Sequence, residues 1–159
     1  MKVRFKKLVP EAVTPVYAKD GDACVDLVAV SKELDDHANI VYGTGLALEI
    51  PDGYVGLVFP RSSNSKKDVW LTNHVGVIDS GYRGEVKLKY RNAFNSMTSY
   101  MHSHTDKEAV KRIEERFEYK VGDRIGQLMI LPYPHIEFEE ADELSATERG
   151  EGGFGSTGK

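Results

Sequence analysis

The chain contains little that would place it in a special class. It has one cysteine, Cys24, among 159 residues, so no intrachain disulfide can form, and a small buried apolar residue in a reducing compartment is its expected role. No apolar run approaches the roughly 20 residues that cross a bilayer as a helix, and no apolar segment follows the charged residues 1–7 to make a secretory signal. A cytoplasmic protein without a membrane partner is expected. No basic block is present and the formal net charge is -4, which argues against nucleic acid as the main partner. A free nucleotide stays open, because a few placed donors can hold one without a basic surface. The length suits one domain, and 40% hydrophobic residues supply a core that needs no disulfide or metal.

What is present is period-two patterning. Leu46, Leu48 and Ile50 alternate with Ala47 and Glu49, and Val86, Leu88 and Tyr90 alternate with Lys87 and Lys89, the pattern of half-buried strands. Apolar runs at 23–30, 54–59, 75–78 and 125–131 predict more deeply buried strands. Turn residues at 19–22, 51–53, 80–84 and 121–123 separate them. Short strands at this spacing predict an all-β sandwich, barrel or jelly roll. Residues 92–117 depart from the pattern and read as an excursion between two strands. Within it, 105–117 has helical spacing, with Val110, Ile113 and Phe117 on one face and Thr105 or Asp106 as cap.

Five stretches carry candidate chemistry. The tail, 149–159, holds five of the chain's 15 glycines. Glycine lets successive backbone N–H groups turn towards an anion, Ser156 and Thr157 add hydroxyls, and Arg149 adds a planar fork for phosphate. Phe154 can stack on a base. The plainer reading is a disordered terminus. A P-loop is excluded, because the spacing from Gly153 to Lys159 lacks the following hydroxyl residue and helix. Next, Pro60-Arg61-Ser62-Ser63 ends an apolar run and offers several donors to an anion, although serine-rich turns are also ordinary structure. Residues 73–86 read as a β-hairpin with Asp79 entering its turn. Asp79 is either a structural turn residue or a carboxylate placed to orient and deprotonate a water. Gln127 interrupts an apolar strand and needs a partner, from backbone or ligand. Asp26 interrupts another, so a cation, donor or water network should lie beside it.

The order of these stretches is more specific than any of them alone. Asp26 in ACVDL, PRSS at 60–63, GVIDSGYRG at 76–84, GDRIGQ at 122–127 and RGEGGFGSTG at 149–158 resemble the five ordered motifs of the trimeric dUTPase family. The resemblance implies one domain, 1–159, folded as a β jelly roll, with 92–117 as an insert and 149–159 as a flexible phosphate-binding tail. It implies a homotrimer with active sites between subunits. The implied activity is magnesium-dependent hydrolysis of dUTP to dUMP and pyrophosphate, which limits uracil incorporation into DNA and supplies dUMP for dTMP synthesis.

Carried over by position, the resemblance makes Asp79 the residue that activates water. Asn73, Val77, Ile78 and Lys87 belong to the uracil and deoxyribose pocket, with Tyr82 under the sugar. Arg61, Ser62, Ser63 and Gln127 become phosphate contacts. Arg149, Gly155, Ser156 and Thr157 become the γ-phosphate grip, and Phe154 stacks on uracil. Asp26 approaches hydrated Mg²⁺ through water. Cys24 stands where the family usually has glycine, Val25 stands where it often has an aromatic, and Gly126 replaces a common alanine. Two alternatives remain: a dCTP deaminase of the same fold, which would release ammonia, and a non-catalytic dUTP-sensing protein, which would bind without releasing pyrophosphate.

Overall fold

Short apolar segments separated by turns fold into two antiparallel sheets that face each other. The computed structural model describes residues 1–92 and 116–153. Its strands are β1 (Arg4–Lys7), β2 (Val25–Val28), β3 (Ser31–Leu34), β4 (Ile40–Glu49), β5 (Tyr54–Phe59), β6 (Val69–Leu71), β7 (Gly76–Ile78), β8 (Glu85–Asn92) and β9 (Arg124–Pro132), with a 3-10 helix at Ser62–Lys66. One sheet runs β1-β4-β8-β6, with β3 also pairing β4, and the other runs β2-β9-β5-β7. This is the expected all-β, jelly-roll-like class. Of the helix expected at 105–117, only Arg116 and Phe117 are described, and they are helical; the rest lies outside the described residues. Among the described residues no helix is long and apolar enough to cross a membrane.

Leu27, Leu46, Leu88 and Ile125, each no more than 1% exposed, lie in the core between the sheets. Each such burial contributes about 1.5–3 kcal/mol. At the centre, Tyr42, Tyr90 and Tyr119 meet edge to face with centroids 5.4 to 6.0 Å apart. Buried phenols need partners. Tyr42 donates to the Tyr119 carbonyl at 3.0 Å and accepts from the Tyr119 N–H at 2.8 Å, while Tyr90 donates to the Ile125 carbonyl at 2.6 Å. Desolvation pushes all three phenols above their ordinary range.

Two expectations need correction. β4 is buried on both faces along almost its whole length, although Leu46, Leu48 and Ile50 suggested a half-buried strand. Its outer positions, Val41, Gly43, Gly45 and Ala47, are small enough to be covered. The ion pairs Lys87–Glu33 at 3.5 Å and Lys89–Asp35 at 3.0 Å join the strands flanking it. The N-terminal segment closes over the other end, where the Leu8 N–H donates to the Gly45 carbonyl at 2.8 Å.

The expected hairpin at 73–86 is also different. β7 pairs with β5 in one sheet, and β8 pairs with β4 and β6 in the other. The chain therefore crosses between sheets twice, once through the turn at His74, which adopts φ +59°, and once through Asp79 to Gly84. A left-handed backbone at a non-glycine residue is uncommon, though histidine tolerates it better than most. Here it carries the chain from one sheet to the other. The turn chemistry was legible, but the pairing depends on distant strands.

Candidate active site

The two crossings hold β7 and β8 apart, and a cavity of about 370 Å³ opens between them. Asn73, Ile78 and Lys87 line it with Val58, Leu71 and Leu88. Beyond Leu71, the Thr72 N–H still reaches the Lys89 carbonyl at 2.9 Å. Among the described residues, Glu85 to Leu88 then have a strand partner only on the β4 side. The cavity thus has apolar walls and an edge of strand backbone, which suits a flat heterocycle that carries its own donors and acceptors.

At its rim stands the second crossing. The Tyr82 N–H donates to the Asp79 carbonyl at 3.0 Å, closing a turn. The Asp79 side chain is exposed, and its carboxylate has no hydrogen bond or ion pair among the described residues. Tyr82 donates its hydroxyl to the Glu85 carbonyl at 2.9 Å, and its ring lies against Gly84, where a Cβ would meet the Tyr82 Cζ at 2.6 Å. In its observed position the ring fills the space a side chain at Gly84 would need. Val77 is 61% exposed, and its register partner is Leu57.

A second cavity, of about 310 Å³, lies on the outer face of the β2-β9-β5-β7 sheet, lined by Asp26, Arg61, Ser62 and Gln127 together with Arg124 and Cys24. Asp26 and Gln127 are directly opposite in the β2–β9 ladder. Gln127 donates to the Pro60 carbonyl at 3.2 Å, which answers its need for a partner. Asp26 accepts from Arg61 Nε at 2.7 Å and from Arg124 Nη1 at 3.0 Å. The cation expected beside Asp26 is therefore a pair of arginines. Arg61 Nη1 also lies 3.3 Å from Ser63 Oγ.

The helix carrying Ser62 and Ser63 is tied to the core through Asn64. Tyr119 donates its hydroxyl to Asn64 Oδ1 at 2.8 Å, and Asn64 Nδ2 donates to the Val69 carbonyl at 2.9 Å. The Lys67 ammonium lies 4.7 Å over the Tyr119 ring. Sequence reasoning missed this role of Asn64, although the residue follows the Arg-Ser-Ser run directly. It also misjudged Cys24, which is half-buried and borders this polar cavity. Burial first, then Asp22 and Asp26, raise the thiol pKa, so it is a weak nucleophile.

Arg149 is separate from both cavities and donates from Nε to its own Gly152 carbonyl at 2.9 Å. Phe154, Gly155, Ser156 and Thr157 lie outside the described residues. Among the described residues no three His, Cys, Asp or Glu side chains gather as a metal cage.

A family model described as dUTPase matches residues 11–102 and 109–158. The chain belongs to the dUTPase family. Its relatives include the deoxyuridine 5'-triphosphate nucleotidohydrolase of Nautilia profundicola, 40% identical over 161 residues and covering 100% of both chains. Among solved structures, a mutant Staphylococcus bacteriophage 80alpha dUTPase with dUpNHpp is 29% identical, with a TM-score of 0.76 and 99% of each chain covered. A mutant dUTPase from phage phi11 of S. aureus, reported to reveal the coordination of a structural Mg(II) ion, is 25% identical, with a TM-score of 0.70, 90% of this chain and 98% of that one covered.

For a dUTPase-family chain, the departure at Gly126 has a visible cause. A Cβ there would run into Cδ2 of Leu88 and approach the Phe59 carbonyl at 3.2 Å. Leu88 occupies the space that an alanine methyl would take.

Proposed function

We propose that this chain hydrolyses dUTP at the α-phosphorus, giving dUMP and pyrophosphate. The observation that carries the reading is the pair of cavities, one of nucleoside character and one lined by arginines, on a dUTPase-family fold. Volumes of about 300–1,000 Å³ are usual for small-molecule pockets, and both cavities lie at the low end of that range.

The two lie on opposite faces of one sheet. Val58 and Leu88, in the first, belong to the core between the sheets, whereas Asp26 and Gln127, in the second, alternate with the buried Leu27, Gly126 and Leu128 and so face outward. A single nucleotide cannot lie on both faces. That supports a homotrimer in which the base end of one copy meets the phosphate end of another, with residues 149–159 closing the site. In this reading 1–159 form one domain and 92–117 an insert within it.

In the proposed mechanism the uracil edge hydrogen-bonds to the backbone near Val77, Ile78 and Lys87, with Asn73 beside it and Phe154 stacked on its face. Tyr82 lies under the deoxyribose. Arg61, Ser62, Ser63 and Gln127 hold phosphate oxygens, and Arg149, Gly155, Ser156 and Thr157 hold the terminal phosphate. Asp79 accepts a proton from water, the water oxygen bonds to the α-phosphorus, and the bond to the bridging oxygen breaks to release pyrophosphate. Placement of water and phosphorus does most of the work, because this chemistry needs little covalent assistance.

Both oxygens of Asp26 accept from arginines, so Asp26 would hold a magnesium ion through water rather than directly. Bound there, it would neutralise developing charge on phosphate oxygens.

The test is pyrophosphate release across the deoxynucleoside triphosphates. Release from dUTP alone is expected. Ammonia from dCTP would transfer the chain to the deaminase reading, and dUTP binding without pyrophosphate release would make it a sensor.

A further inference from the structure

Arg124 ought to point into the core. In a regular strand it would share a face with Gly126 and Leu128, both buried. The β2–β9 register prevents this. Asp26 opposes Gln127 and Leu27 opposes Gly126, but Val28 opposes Arg124, so β9 carries one extra residue, Ile125, at a bulge. Ile125 and Gly126 are buried in succession, and the alternation is reset. A bulge of this kind re-aims a side chain. Arg124 emerges on the outer face, beside Asp26 and Gln127, and borders the same cavity as Arg61 and Ser62.

The carboxylate between the two arginines sets their geometry. Asp26 takes Arg61 through Nε and Arg124 through Nη1, leaving the other guanidinium donors of Arg124 for a ligand. The Arg124 side chain is 53% exposed, so those donors are not sealed in the core. Two arginines around one aspartate carry a net charge of +1, in a form that matches phosphate oxygens.

We propose that Arg124 is a second phosphate-binding arginine of this cavity, and that Asp26 is a positioning residue that aims both guanidinium groups. The inference rests on the phosphate role given to Arg61 in the proposed function. It makes a counterintuitive demand on sign. As a mere negative neighbour, Asp26 weakens anion binding, and its neutralisation would tighten it. As the brace between two arginines, its neutralisation loosens both and weakens binding.

The experiment is calorimetric titration of the full chain with inorganic tripolyphosphate in EDTA, so that neither base recognition nor a metal contributes. Arg124→Gln is expected to bind about tenfold more weakly than wild type, the scale of one lost charge-assisted hydrogen bond, with a flatter dependence on salt. Asp26→Asn is also expected to bind more weakly. Unchanged affinity in Arg124→Gln, equal or tighter binding in Asp26→Asn, or no binding by the wild type would each overturn the assignment. If the wild type cleaves dUTP but Arg124→Gln binds tripolyphosphate normally, the inference fails and the proposed function stands. If dUTP is not cleaved, that function fails and the tripolyphosphate comparison still decides the role of Arg124.

Discussion

On the outer face of one sheet, Asp26 is held between Arg61 and Arg124 at 2.7 and 3.0 Å, and Gln127 and Asn64 fasten the segments around them. In the mouth between the sheets, Asp79 stands exposed beside a cavity whose strands are held apart. The first region is held together by side chains of the described residues, whereas the second presents a carboxylate and a strand edge with no partner among them. Electrostatics explains the difference. A cluster of like cations needs a built-in counter-charge to stay together, whereas a single exposed carboxylate is satisfied by water.

The largest expected effect falls on the open end. Asp79→Asn should lower kcat by about 10³-fold or more, near the upper range for removing a general base, with dUTP affinity largely retained; stopped-flow pyrophosphate detection beside equilibrium binding measures both. Near-normal turnover would break the contrast, since Asp79 would then be another structural turn residue.

Removal of residues 150–159 should cost about 10²-fold in kcat/KM, within the reach of lost positioning and water exclusion. The melting temperature and assembly state, read by scanning calorimetry and light scattering, should not change. A fully active truncation would mean that both ends function without closure.

Gly126→Ala separates the two regions more finely. Its methyl would displace Leu88, which lines the cavity between β7 and β8, while leaving the Asp26 brace on the opposite face untouched. A loss of about 1–3 kcal/mol in urea unfolding is expected for overpacking, with KM for dUTP raised and tripolyphosphate affinity unchanged. An equal loss at both ends would show that the sheet transmits the strain.

The smallest effect concerns Asp35, which pins Lys89 at the cavity between β7 and β8 with a 3.0 Å ion pair. Hydrogen bonds from the Asn39 side chain and then its backbone hold the Asp35 carboxyl far below the usual carboxylate range. A depressed folded-state pKa contributes stability that is complete above the unfolded value, about 3.9, and is lost as pH falls towards the folded one. Asp35→Asn should therefore be slightly less stable than wild type at pH 7 in chemical denaturation. The gap should close in acid, and a gap that persists there would remove ionisation as its cause.

Much of this was legible along the chain, and what was missed has a common cause. Strand β5 at 54–59 follows its apolar run, and the turns at 19–22, 51–53 and 121–123 follow their glycines and aspartates, because those signals are local. The β7–β8 crossing was misread as a hairpin because Asp79 to Gly84 makes the same turn whether its flanking strands pair or part. Arg124 escaped notice because its direction depends on an extra residue in β9 that is visible only opposite β2. Asp26 did announce its need for a cation, donor or water network, by being polar in an apolar strand. The two buried faces of β4 were hidden because the covering segments come from β3, β8 and the N-terminus.

The three tyrosines at the centre have one more consequence. Each phenol is neutral inside the fold and would ionise near pH 10 once unfolded. Because their folded-state pKa values are raised, stability is intact below that pH and drains away above it. The rings touch one another, and Tyr119 also anchors the helix bearing Ser62 and Ser63. Alkali would therefore loosen the middle of the protein and the segment bearing Ser62 and Ser63 together.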